Sequence, residues 1–172
     1  PKIQSIGQQH GSPCYELDRT KDTESRGNNQ MTFMVNFKVD ANPVGKQRAR
    51  YVKRGNFVST YTPEKTRTYE SLIKEAAIKA MGSSEPLETP VTLYLYIRVP
   101  IPKSHSKKRL EACLNGSEQP IKKPDASNIL KSVEDGMNSV VYKDDCQIIN
   151  HHITKVYSSQ AGVNICVKEC LK

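Results

Sequence analysis

The feature of this sequence that most constrains its fold is a strict alternation of side chains between residues 91 and 99. Apolar side chains occupy the odd positions, namely Val91, Leu93, Leu95, Ile97 and Val99, and Thr92, Tyr94, Tyr96 and Arg98 lie between them. Because successive side chains of a strand point to opposite faces of a sheet, this pattern predicts a half-buried β-strand. Pro100 and Pro102 are expected to end it.

A second alternation and a strong helix signal precede that strand. Phe33, Val35, Phe37 and Val39 alternate with more polar residues and predict the first strand. Thr62-Pro63-Glu64 then predicts a helix start, with Thr62 as the cap, proline at the first helical position and an acid in the first turn. Apolar residues at helical spacing follow, and Gly82 is a suitable stop.

The C-terminal half adds a short helix and two further strands. Residues 103–114 predict a basic loop that runs into a short helix. The region from Ile148 to Ile153 alternates imperfectly, which indicates an edge strand or a bulge. Val163, Ile165 and Val167 predict a last strand, paired with the preceding one through the turn at residues 158–162. The whole order predicts an α+β fold with a small mixed, mostly antiparallel sheet and two main helices.

Length and charge indicate one domain that meets a polyanion. The 172 residues suit a single domain, which we place at residues 31–172, after a polar N-terminal tail or accessory arm at residues 1–30. Lysine and arginine number 26 against 18 acids, giving a formal net charge of +8. The candidate DNA-binding residues are Lys46, Arg48, Arg50, Lys53, Arg54, Lys107, Lys108 and Lys123. Tyr51 lies among the first five and Phe57 follows them closely. Both rings are suited to stacking on bases, although a solvated hairpin explains the same pattern.

The sequence predicts neither a membrane span nor a cysteine framework. No apolar run approaches the roughly 18 residues of a membrane helix, and no secretory signal is visible, so we expect a cytoplasmic, nucleoid-associated protein. The five cysteines have no C-x-x-C spacing. They predict reduced thiols rather than disulfides or a zinc site. His105, alone in a basic loop, is expected to be a surface histidine.

Acidic residues collect around one predicted helix. Ile129, Val133 and Met137 recur every fourth residue and give an apolar stripe, with Asn128, Lys131 and Asp135 on another face. Asp125 precedes this helix, and residues 136–143 turn the chain toward Asp144 and Asp145. Carboxylates that converge among basic residues indicate a site for a hard cation that handles phosphate. Aspartate as a helix cap and an Asp-Asp pair in a solvated turn remain the alternative explanation.

The motifs of this region resemble those of the RusA family of Holliday-junction endodeoxyribonucleases. K-P-D-x-x-N starts at Lys123, Lys131 follows, then comes an acid-Asp-Gly step at residues 134–136, and V-Y-K-D-D-x-Q-I ends at Ile148. The resemblance implies a homodimer that nicks four-way or branched DNA with Mg²⁺, or with Mn²⁺ in its place. It also implies that Asp125 and Asp145 bind the metal and that Lys131 is the essential helix lysine.

One position departs from the family pattern. The family reads D-x-D-N at the start of this helix, and Ser127 stands here in place of the second acid. A hydroxyl is a weaker magnesium ligand, so Asp144 or Asp135 compensates, or a water bridges from Ser127, or activity is reduced. The leading expectation is therefore a magnesium-dependent junction endonuclease. A catalytically silent junction-binding protein and a purely structural centre, with Lys131 paired to Asp135, are the alternatives.

Overall fold

A computed structural model of the chain describes residues 32–170, apart from the side chain of Arg54. The predicted N-terminal arm at residues 1–30 lies outside the described residues. In chain order the elements are β1 (Met34–Val39), β2 (Arg50–Arg54), β3 (Phe57–Tyr61), α1 (Glu64–Met81), β4 (Val91–Pro100), α2 (Lys107–Leu114), α3 (Ala126–Met137), β5 (Ile148–Ser158) and β6 (Gly162–Glu169). A 3₁₀ turn at Asp145–Gln147 leads into β5.

The main sheet has four strands in the order β1-β6-β4-β5. Strand β6 is antiparallel to both β1 and β4, whereas β4 and β5 run parallel. Strands β2 and β3 form a separate antiparallel hairpin. The predicted α+β class with a mixed sheet is confirmed, and a short third helix, α2, accompanies the two long ones.

The predicted hairpin between the last two strands is wrong. Strand β4 lies between β5 and β6, and residues 159–161 join strands on its two sides. The reason lies in β4 itself, whose odd-numbered residues are buried together with Thr92. A strand this deeply buried needs hydrogen-bonding partners along both edges, and β5 and β6 supply them. Strand β5 is an edge strand with a register irregularity opposite Val91 and Thr92, as its imperfect alternation predicted.

Helices α1 and α3 share one core with the sheet and approach each other closely at a glycine. Ile73 of α1 and Ile129 and Val133 of α3 are fully buried in that core. A Cβ on Gly136 would lie 2.7 Å from the Cβ of Ile73, so only glycine allows this helix spacing. The close contact fixes α3 relative to the rest of the domain.

The start of α1 differs from the prediction by one position. The helix begins at Glu64 with Pro63 as its N-cap residue, and no side chain makes a capping bond. The carbonyl of Pro63 accepts bonds from the backbone N–H groups of Thr66 and Arg67 instead. Gly82 ends the helix with a φ of 58°, as its position predicted.

None of the helices within residues 32–170 has the length and apolar character needed to cross a lipid bilayer.

Candidate functional site

The backbone around the start of α3 accepts hydrogen bonds from two other parts of the chain. The Nζ of Lys155, on β5, donates to the carbonyls of Lys122 and Pro124 at 2.7 and 2.8 Å. The backbone N–H of Lys46 donates to the carbonyl of Asn128 at 2.7 Å. A Cβ on Gly45 would lie 2.9 Å from the Cβ of Asn128, so glycine lets this loop reach the first turn of α3.

The chain that follows α3 is held just as firmly. Tyr142 is fully buried, its hydroxyl donates to the carbonyl of Glu134 at 3.2 Å, and burial raises the pKa of its phenol. The side chain of Gln147 donates to the carbonyls of Leu87 and Thr89 at 2.9 and 3.0 Å. Its Oε1 also accepts the N–H of Asp144 at 2.9 Å. These bonds fix the 3₁₀ turn that carries the second acidic pair.

The two neighbouring aspartates of this turn have different partners. Asp144 caps the 3₁₀ turn, because its Oδ1 accepts the N–H of Cys146 at 2.9 Å. That backbone hydrogen bond lowers the pKa of Asp144. The side chain of Asp145 reaches α3 instead, where its Oδ2 accepts from the Nζ of Lys131 at 2.5 Å. Asp144 therefore shapes the turn, and Asp145 faces the helix lysine.

Lys131 gathers three carboxylates around one ammonium. Besides Asp145, its Nζ lies 3.6 Å from Oδ1 of Asp135 and 3.7 Å from Oε2 of Glu134. The hydrogen bond to Asp145 contributes most to raising the pKa of Lys131, and the charges of Asp135 and Glu134 add to it. The three carboxylates therefore favour the charged form of this ammonium.

A second lysine, Lys46, supports this cluster from the side of α1. Its Nζ contacts Oδ2 of Asp135 at 2.6 Å and Oε1 of Glu70 at 2.5 Å. Desolvation would lower the pKa of Lys46, but the hydrogen bonds to Asp135 and Glu70 outweigh it and the pKa is raised. The sequence assigned Lys46 to the DNA-binding patch, whereas the structure places its half-buried ammonium between two acids.

Three members of this network were not among the residues predicted from the sequence. Glu70 lies within the helical pattern of α1, where no motif marks it as a site residue. His151 belongs to an irregular strand. Glu134 is the acid of the acid-Asp-Gly step, but the sequence predicted no role for its side chain. In the structure Glu134 is buried, and its Oε1 lies 2.8 Å from Nε2 of His151. The network thus joins α1, α3, β5 and the 3₁₀ turn.

Asp125 stands at the exposed start of α3. It is the N-cap residue of α3, yet its side chain makes no capping bond, and its Oδ2 accepts from Nδ2 of Asn128 at 3.3 Å. Asn128, Lys131 and Asp135 recur at helical spacing along one face of α3. The helical rise separates Asp125 from Lys131 by about 9 Å along the axis. Ser127 is exposed on the first turn. A carboxylate that is not used as a cap remains available to a ligand.

The acids of this face do not form a closed carboxylate cage in the part of the chain that the structure describes. Between residues 32 and 170 no three carboxylates have their oxygens within 4.8 Å of one another. Magnesium commonly takes one or two protein carboxylates and completes its shell with waters and substrate phosphates. Asp135 and Asp145 both contact Lys131, whereas the side chain of Asp125 contacts Asn128.

A comparison with known protein families finds a match that covers most of this chain. Residues 40–168 match the family described as Endodeoxyribonuclease RusA, and this range contains every residue of the acidic network. The chain belongs to the RusA family. RusA is a family of nucleases, so an endodeoxyribonuclease activity is supported for this chain. The chain is also 31% identical over 138 residues to the uncharacterized protein YqaN of Bacillus subtilis (strain 168), a match covering 78% of this chain and 96% of YqaN.

In this RusA chain the predicted basic residues lie mainly on exposed segments. Arg48, Arg50 and Lys53 are exposed on and before the β2–β3 hairpin, Lys107 and Lys108 begin α2, and Lys123 precedes the acidic face. The side chain of Arg54 lies outside the described part of the structure. Tyr51 and Phe57 are 74% and 81% exposed. Because Phe57 pairs with Arg54, three positions from Tyr51, the two rings point to opposite faces of the hairpin.

Proposed function

We propose that this RusA-family chain is a magnesium-dependent, structure-selective endodeoxyribonuclease that resolves Holliday junctions and other branched DNA during recombination and repair. The observation that carries the proposal is the 2.5 Å contact between Lys131 and Asp145. That contact brings the 3₁₀ turn against α3, the helix whose N-cap residue is Asp125. A carboxylate and a cation from two separate motifs thereby meet in one place.

The carboxylates of this face would hold the metal. Asp125 and Asp145 are the proposed principal ligands of Mg²⁺, or of Mn²⁺ in its place, and Asp135 is the proposed substitute for the acid that Ser127 replaces. A magnesium ion bound there would polarise the phosphodiester and lower the pKa of an attacking water. Asp144 has its Oδ1 committed to the turn, and its proposed role is to aim Asp145.

The protein's own cations would handle the charge of the phosphate. Lys131 is proposed to stabilise the negative charge that develops on the phosphate oxygens, as a fixed cation does when it is positioned before the reaction. Lys46 makes a second ion pair with Asp135 and would restrain that carboxylate. Glu134 is bound by His151 and restrains Lys131 in turn.

Binding to DNA is assigned to the exposed basic segments. Arg48, Arg50, Lys53, Lys107, Lys108 and Lys123 would neutralise phosphates, and Tyr51 or Phe57 would stack on exposed bases near the branch. A homodimer would supply two acidic faces related by a two-fold axis, which matches the symmetry of a four-way junction. Paired nicks would follow from that symmetry.

The proposal is tested with a labelled synthetic four-way junction, incubated with protein and Mg²⁺. We expect nicking by the wild type and its loss in Asp125→Asn, with junction binding retained. Asp40→Asn is the matched control, because Asp40 pairs with Lys38 and Arg98 and makes no contact with the acidic face. Nicking by Asp125→Asn at the wild-type rate would remove the proposed role of that carboxylate.

Ser127 favours a second candidate, a silent protein that binds junctions and shields them. The two candidates differ in the response to Ser127→Asp. If Asp135 completes the site, the added carboxylate changes nicking only slightly. If the wild type is silent, the same substitution creates magnesium-dependent nicking where none existed before.

A further inference from the structure

Three side chains with metal-binding atoms converge at α2, outside the acidic network. His105 precedes the helix, Cys113 lies in its last turn and Glu118 follows it. One ligand atom from each lies within 4.8 Å of the other two, and Sγ of Cys113 is 3.6 Å from Nδ1 of His105. Cys113 is only 2% exposed, whereas the other two are half-buried.

The backbone holds these three side chains in place. The N–H of His105 donates to the carbonyl of Pro102 at 3.0 Å, and the N–H of Glu118 donates to the carbonyl of Ala112 at 2.9 Å. The imidazole of His105 also meets the ring of Tyr157, on β5, edge to face at 6.1 Å between centroids. The cluster is therefore built before any ligand arrives.

We propose that His105, Cys113 and Glu118 form a Zn²⁺ site with one coordination position left to water. Thiolate, imidazole and carboxylate are the ligand types of zinc, whereas magnesium selects oxygen donors alone. Tetrahedral bonds of about 2.3 Å to sulfur and about 2.0 Å to nitrogen put those two donors roughly 3.5 Å apart. The observed separation of 3.6 Å fits that geometry.

Arg109 supports the carboxylate of this site without using up its oxygens. Its Nε donates to Oε2 of Glu118 at 3.0 Å, and its terminal nitrogen donates to Oε1. This pairing lowers the pKa of Glu118. Each carboxylate oxygen has two lone pairs, so one remains for the metal while the arginine fixes its direction.

The thiol of Cys113 must lose its proton when zinc binds. Burial raises the pKa of this thiol. Zinc replaces the S–H bond with an S–Zn bond, and the proton passes to the solvent. The bound ion would then hold α2, whose first turn carries Lys107 and Lys108, to the segment that continues toward α3. This site does not depend on the nuclease proposal.

The test uses the full chain, freed of metal with a chelator and titrated with Co²⁺ in excess Mg²⁺. We expect one equivalent to give the sulfur-to-cobalt charge-transfer absorption of a thiolate complex, and Zn²⁺ to displace it. Cys113→Ser should abolish that absorption. Cys146→Ser, which removes an exposed thiol next to Asp145, is the matched control and should keep it.

Two further variants cover the case in which Cys113→Ser does not fold. His105→Gln and Glu118→Gln change half-buried positions, and each should weaken zinc binding at least about tenfold. Glu88→Gln, at an exposed acid paired with Lys143, is the control that should leave affinity unchanged. The proposal is overturned if no thiolate absorption forms, if it persists in Cys113→Ser, or if both glutamine variants bind zinc as the wild type does.

Discussion

The acidic face of α3 is held from several sides, whereas the β2–β3 hairpin leaves both of its faces exposed. On α3, Lys155, Tyr142 and Gln147 tie down the segments before and after the helix. On the hairpin all five residues of β3 are exposed. Both regions fall within the range that matches the RusA family.

This difference separates the two tasks of the proposed junction nuclease, which are to accelerate nicking and to bind DNA. Positioned charges accelerate a reaction only if they do not have to reorganise, and the anchored face meets that condition. A two-stranded hairpin alone is only marginally stable, so contact with DNA or a partner subunit is expected to complete it. Substitutions on α3 should therefore change the rate of nicking, and substitutions on the hairpin should change affinity.

The largest effect is expected from Lys131→Met. It removes the ammonium around which Asp145, Asp135 and Glu134 collect, and with it the proposed stabilisation of charge on the phosphate. Single-turnover nicking should fall by about 10²–10³ while junction binding stays within a few-fold. Lys143→Met, at an exposed lysine paired with Glu88, is the control. An equal loss of binding and rate would contradict the separation of tasks.

The next effect is expected on stability, from Gly136→Ala. The added Cβ would lie 2.7 Å from that of Ile73 and force α1 and α3 apart. We expect the free energy of unfolding, measured in urea, to fall by about 1–3 kcal/mol. Ser71→Ala, on the exposed side of α1, should change it by less than about 0.5 kcal/mol. If Gly136→Ala costs no more than Ser71→Ala, the tight helix packing is not a requirement.

Substitutions on the β2–β3 hairpin should weaken DNA binding and leave the nicking rate unchanged, the reverse of Lys131→Met. In the double variant Arg50→Ala and Lys53→Ala, two phosphate contacts are lost, so the slope of log affinity against log salt should decrease by about 2. The nicking rate at saturating protein should stay near that of the wild type. The control is the double variant Lys74→Ala and Lys79→Ala, at two exposed lysines of α1, because it lowers the net charge by the same amount. An identical salt slope in both double variants would remove the hairpin from the DNA-binding surface.

The smallest effect is a pH dependence from the cap of the 3₁₀ turn. The folded pKa of Asp144 lies below its ordinary value of 3.8 because the carboxylate accepts the N–H of Cys146. Its contribution to stability is therefore present above pH 3.8 and is lost as the pH falls through the depressed pKa. Unfolding of the wild type and Asp144→Asn, compared from pH 7 down to acid, should show a difference that shrinks only below pH 3.8. A constant difference would mean that Asp144 does not act through its charge.

Periodicity in the sequence predicted most of the elements but not all of their partners. The alternation in β1 and β4 and the helical spacing in α1 and α3 are local, and the structure confirms each of them. The neighbour of β6 in the sheet depends on the burial of β4. The turn at residues 158–162 gives no information about that burial. The hairpin predicted there was wrong for this reason.

Site residues that belong to sequence motifs were predicted. Site residues that come together only through the fold were missed. Asp145 and Lys131 were named from motifs, and the structure brings them into contact. Glu70 and His151 come from distant elements and had no distinguishing pattern. The spacing of His105, Cys113 and Glu118 matches no regular zinc motif, so only the fold shows that they converge.

The most direct test of the nuclease centre compares two adjacent residues, Asp145 and Asp144. Magnesium-dependent nicking of a four-way junction is measured under single-turnover conditions for Asp145→Asn and Asp144→Asn, with binding recorded in the same samples. Because asparagine can cap a turn nearly as well as aspartate, Asp144→Asn should nick within a few-fold of the wild type. Asp145→Asn should bind the junction and lose nicking by about a hundredfold or more. Equal rates for Asp145→Asn and the wild type would contradict the account.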